Sequence, residues 1–215
     1  MVFSDDSVCA TEQAVRMGPE PGETEAVQMS GDHRNAGASV SEAGVVRYWI
    51  SGAAASKGPV ELQAATSLVQ KLNAAGADWA PPKLTQTDSD AKREEGVDCT
   101  AVENTDPQKI LRIQVTTANA DAWGLLARDP SLLERCETIE SMVESICAAI
   151  EHKRSRADRT IVLVLAAYDS PAHALHSVAQ AFRVEHGEWA RKVGFKEVWI
   201  AGPAAELVHR LDNGG

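Results

Sequence analysis

Long hydrophobic runs are missing from this chain. No stretch approaches the ~20 apolar residues that a bilayer span requires, and the N-terminus has neither the basic start nor the apolar block of a secretory signal. The expectation is a cytoplasmic protein without a membrane partner. Cysteine is sparse, and the four present, Cys9, Cys99, Cys136 and Cys147, are far apart. No Cys-x-x-Cys pair marks a zinc or redox site, so reduced, buried thiols are expected. Positive charge is short as well: 21 Lys and Arg face 31 Asp and Glu, for a formal charge of −10. That balance argues against nonspecific coating of nucleic acid, which draws on excess Lys and Arg. Neither a Gly-x-Gly-x-x-Gly pattern nor a Walker loop is present, which removes the Gly-rich phosphate cradles from consideration.

What is present is ordinary for one globular domain. The 215 residues are 44% hydrophobic and 24% charged, enough for a sizeable core without a second domain. The charge is uneven, because residues 1–46 hold eight acids and two arginines. Residues 1–44, rich in Gly, Ser, Glu, Asp and Ala and without an apolar period, read as a flexible acidic tail that offers a protein partner an arm to bind. The folded part is then 45–215.

Its elements follow from periodicity and punctuation. Val45, Val46, Tyr48, Trp49 and Ile50 form a short apolar-aromatic run that docks the tail as a strand or turn. Gly58-Pro59 opens a helix with Glu61 in its first turn and a stripe of Leu62, Ala65, Leu68, Val69 and Leu72. Residues 83–87, 97–103 and 109–117 read as three strands joined by turns, an antiparallel meander. In the third, Leu111, Ile113 and Val115 alternate with Arg112, Gln114 and Thr116, so one face is core and the other polar. A long helix is expected from about Ser131 to Lys153 on the stripe Leu132, Leu133, Cys136, Ile139, Met142, Val143, Ile146 and Ile150. The continuous apolar run 160–167 reads as a central strand buried on both faces. A helix over 173–186 and a strand over 196–203 complete an α/β fold with a mixed central sheet flanked by helices.

This order, α-β-β-β-α-β with an added α-β, resembles the PD-(D/E)xK, or restriction-endonuclease-like, superfamily over residues 58–167. In that superfamily a glutamate often lies on the first helix, an acid on the second strand, and Glu, Asp or Gln followed two residues later by Lys on the third. Glu61, Asp98 and Gln114 fall on those positions, and Thr116 stands where the lysine is expected. The resemblance implies a metal-dependent nuclease, with Glu61, Asp98 and Gln114 as oxygen ligands to Mg²⁺ or Mn²⁺ and Asp98, Gln114, Thr116 and Arg112 in the catalytic group. A hard cation suits carboxylate and amide oxygens, and bound there it would activate water and offset phosphate charge. Threonine carries no positive charge, so Arg112, on the same strand face, is the candidate replacement. The alternative is a catalytically inactive protein-interaction module that keeps the frame. Nucleic acid is the implied partner of the first reading, and the resemblance permits a homodimer.

Weaker signals accompany these. Lys153, Arg154 and Arg156, with Arg159 nearby, form a basic cluster able to meet phosphates, or a solvated helix end. His173, His176 and His186 share part of a helix as a second metal candidate. Of the five tryptophans, Trp199 and Trp123 read as core and Trp79, in a Pro-Pro connector, as a stacking platform for a base or partner.

Overall fold

The computed structural model describes residues 29–31, 34–40, 45–51, 57–85, 96–118, 132–167, 176–202 and 205–214. Two sheets run through them. The smaller is an antiparallel, four-stranded sheet of β1 (Met29–Gly31), β2 (Arg34–Val40), β3 (Val45–Ser51) and β7 (Leu132–Thr138), in that spatial order. The larger has six strands in the order β10-β9-β8-β6-β5-β4, formed by β4 (Lys83–Leu84), β5 (Cys99–Val102), β6 (Ile110–Thr117), β8 (Ile161–Ala166), β9 (Glu197–Ala201) and β10 (Val208–Arg210). Strands β6, β8 and β9 are parallel, while β4, β5 and β10 run antiparallel to their neighbours. The protein is α/β, with a mixed sheet flanked by helices.

Among the described residues, three helices cover the larger sheet: α1 (Lys57–Ala74), α2 (Ile139–Lys153) and α3 (His176–Val193). They fall on opposite faces because the sheet strands alternate. Leu111, Ile113, Val115, Val162, Val164 and Trp199 pack with Ala64, Ala65 and Leu68 of α1. Ile161, Leu163, Leu165, Val198 and Ile200 pack with Ile146 and Ile150 of α2 and with Phe182 of α3. All six residues of β8 are buried, as expected for a strand covered on both sides.

Several elements differ from the sequence expectation. α1 begins at Lys57, with Pro59 accommodated near its start, so Glu61 lies beyond the first turn rather than in it. Leu132–Thr138 is a strand paired with β3, not the opening of a long helix. A short apolar pattern fits either period, and here strand pairing takes residues 132–138 while Thr138 caps α2 by accepting the Ser141 amide at 3.1 Å. β1 and β2 lie within the segment expected to be a tail. The first strand of the meander is limited to Lys83–Leu84, and α3 continues past His186 to Val193, where Gly194 at φ +116° turns the chain out of the helix. β10 was not expected at all. Residues 1–28, 123–126 and 169–173, which carry Cys9, Trp123 and His173, lie outside the described residues.

Candidate functional site

Asp98 stands immediately before β5 and holds the sheet together there. Its amide donates to the Ile113 carbonyl at 2.9 Å, its carbonyl accepts the Thr85 amide at 3.0 Å, and its Oδ2 accepts the Val115 amide at 2.8 Å. The carboxylate thus occupies a position in the ladder where a backbone carbonyl would otherwise stand. Such an acceptor satisfies a strand amide that would otherwise be lost to pairing.

Glu61, only 9% exposed, lies on α1 above the same part of the sheet. Cys99, the residue after Asp98, feels the charge of both acids. Its thiol is fully buried and pushed up to about 12 from an ordinary 9.0, first by burial and then by the charges of Glu61 and Asp98. A thiol so placed stays protonated and unreactive at neutral pH. The denatured chain releases this proton near 9.0 and the native chain only near 12. Stability therefore falls as pH rises from about 9 toward 12, by up to about 1.4 kcal/mol per pH unit from this group. Urea unfolding at pH 8, 9.5 and 10.5 checks this, with Cys99→Ala expected to remove the extra alkaline loss.

The polar residues of β6 lie on the other side. Leu111, Ile113 and Val115 pack toward α1, which turns Arg112, Gln114 and Thr116 toward the face covered by α2 and α3. The register agrees: Gln114 is level with Leu163, a member of the α2–α3 core. Gln114 is only 1% exposed. A Cβ built on Gly96 would lie 3.5 Å from its Nε2 and 3.6 Å from Cβ of Arg156, and Gly96 itself has φ +89°. The amide is packed beneath this glycine turn, and its Oε1 has no hydrogen-bond partner among the described residues. Arg112 donates to the Thr160 hydroxyl, which donates to Asp158 at 2.7 Å. Those hydrogen bonds from Thr160 side chain and backbone hold the Asp158 carboxyl below its usual range.

No family model, curated protein or solved structure matches the chain. The charges of Glu61 and Asp98 both reach the Cys99 thiol, whereas Arg112, Gln114 and Thr116 alternate with the β6 residues that pack on α1 and so belong to the opposite face of the sheet. Among the described residues, no group of three or more His, Cys, Asp and Glu is placed to hold a metal ion. A Mg²⁺ or Mn²⁺ ion wants several oxygen ligands converging at about 2.0–2.1 Å, and Gln114 lies on the sheet face opposite α1, the helix that carries Glu61.

The remaining candidates separate in the same way. Arg154 is paired with Glu151 at 3.0 Å at the end of α2, and Arg156 and Arg159 are exposed, with Lys153 half-buried. His186 stacks near Phe182 and Trp189, while His176 meets His209 of β10, so these two histidines serve different surroundings. Trp79 is core rather than a platform: it is buried, exchanges hydrogen bonds with Asn73 at 2.8 and 2.9 Å, and carries Lys109 over its ring at 5.4 Å. Trp199 is core, as expected. Sequence reading missed Cys99 as a buried thiol under the charge of both acids, and missed Lys71, Arg183 and His209 entirely, three residues that line one cleft. Cys99 was marked only by its place next to Asp98. The other three lie on separate elements, and no spacing in the chain joins them.

Proposed function

We propose that this chain is a non-cleaving binding module built on a restriction-endonuclease-like frame, with a protein as its partner. What supports the frame is the consecutive strand order β4-β5-β6-β8-β9, with β5 antiparallel to both neighbours, one helix on one face and two on the other. What supports the absence of cleavage is one observation above all: the polar residues of β6 face away from α1, the helix that carries Glu61. Threonine at 116 removes the cation that phosphate chemistry would need there. The formal charge of −10 favours a protein over nucleic acid as partner.

The test is incubation of the full chain with single- and double-stranded DNA and RNA, with Mg²⁺ or Mn²⁺, beside Asp98→Ala. The expected result is no cleavage by either protein and no retardation of the nucleic acid at about 0.15 M salt. Asp98→Ala is expected to be less stable by about 1–3 kcal/mol, because the Val115 amide loses its acceptor, which lowers the melting temperature by roughly 3–10 °C. Metal-dependent cleavage that disappears in Asp98→Ala would overturn the proposal and make Glu61 and Asp98 part of a nuclease centre. That second reading rests on the charges of both acids reaching the same buried thiol, Cys99.

A further inference from the structure

At the β10 edge of the larger sheet lies a cleft of about 740 Å³ whose walls come from three layers of the fold. Lys71 enters from the last turn of α1, His176 and Arg183 from α3, and His209 and Arg210 from β10. Among the described residues, no Asp or Glu lines it. In a chain with a formal charge of −10, this is a local reversal of sign.

The five basic groups are not equivalent. Arg210 is occupied: its Nε donates to Asp212 at 2.7 Å, its Nη1 lies 3.8 Å from Glu197, and its guanidinium covers the Trp199 ring at 5.9 Å. Lys71 and Arg183 have no ion pair or side-chain hydrogen bond among the described residues. The His176 and His209 rings meet edge-on with centroids 5.2 Å apart. His209 is held below its ordinary pKa by burial, then by His176 and Lys71. Like-signed groups gathered around a concave surface repel one another, and an anion that fills the space removes the repulsion.

We infer that this cleft is a binding site for a small phosphomonoester, with the phosphate between Lys71, Arg183 and the two imidazoles. The charge decides the head group. Lys71 and Arg183 supply two full positive charges without ion-pair partners among the described residues, matching a phosphate dianion better than a single carboxylate, and the imidazoles add directed donors. The size decides that it is not phosphate alone. About 740 Å³ falls in the range of roughly 300–1,000 Å³ that holds small organic ligands. The organic part faces Ala179, Val184, Trp199 and Val208 on the cleft wall. The site goes beyond the binding-module reading: it stands at the opposite edge of the sheet from Asp98 and uses none of the same residues.

Calorimetric titration of the full chain with adenosine 5′-monophosphate, ribose 5-phosphate, inorganic phosphate and adenosine tests it. The expected result is saturable binding of both phosphomonoesters, weaker binding of inorganic phosphate and none of adenosine. Lys71→Gln and Arg183→Gln each weaken phosphomonoester binding by about tenfold or more while leaving the melting temperature unchanged, since neither side chain holds the fold. Equal affinity for the two phosphomonoesters means that the sugar phosphate alone is read, and a preference for the nucleotide means that the base is also held. The histidine ring protons of His176 and His209 are expected to shift in NMR spectra on addition of either. Saturable binding of none of the phosphates, equal binding of adenosine and its phosphate, or binding untouched in both variants would each overturn the assignment.

Discussion

Asp212→Ala is expected to be among the most damaging single changes in this protein, costing about 3–5 kcal/mol and lowering the melting temperature by roughly 10 °C. Asp212 is 3% exposed and has three donors on its two oxygens. Oδ2 accepts the Val198 amide at 2.6 Å, and Oδ1 accepts Arg210 Nε at 2.7 Å and the Gly214 amide at 2.9 Å. Charge-assisted bonds of this kind are about twice as strong as neutral ones. Their removal strands a buried strand amide and leaves Arg210 without its nearest carboxylate. Asp212→Asn keeps one accepting oxygen but turns an amide N–H₂ toward a donor, so it should fall between the wild type and the alanine variant. Thermal unfolding of the three proteins checks the order. Equal melting temperatures would mean that β10 is not held by this residue.

Phe182→Ala is expected to cost about as much, roughly 3–5 kcal/mol, by a different route. Phe182 is fully buried in the middle of α3, where it packs with α2 residues and the sheet core. Its ring lies 5.6 Å from that of His186 and 6.5 Å from that of Trp189. Truncation removes the transfer energy of the ring and leaves a cavity that two packed helices over a sheet cannot close. Phe182→Leu keeps most of the volume and should cost less than about 1.5 kcal/mol. Denaturant midpoints give the comparison, and the emission of the half-buried Trp189 should move to the red only in the alanine variant.

How far the residues disclosed the fold depends on the element. β8 was legible because six consecutive apolar residues bounded by turns have little choice but the middle of a sheet. The two faces of β6 were legible from strict alternation. Which helix covers which face was not, because alternation divides a strand into two sides without saying what lies over either. That single missing bit separates Gln114 from Glu61 and takes the expected metal set apart. β7 was misread because Leu132, Leu133 and Cys136 satisfy a helical period over too short a window, and only the partner strand β3 decides between the two. β10 escaped notice because Val208-His209-Arg210 has neither length nor alternation enough to stand out. The convergence around the cleft was invisible for a simpler reason: position 71 and position 209 meet only once the sheet has formed between them.

Among the described residues, the larger sheet ends on two very short strands, β4 with two residues and β10 with three. An outer strand carries backbone groups that a second molecule can pair with, and long, flat edges recruit such partners into aggregates. Here the strands that run longest, β6 and β8, are both interior. The outermost described strands offer only a few residues of template, one edge bearing Lys83 and the other His209 and Arg210. Arg210 is further tied to Asp212. The order of strand lengths across the sheet therefore works as protection against edge-to-edge association, and a change that lengthened either border would be felt first as lost solubility.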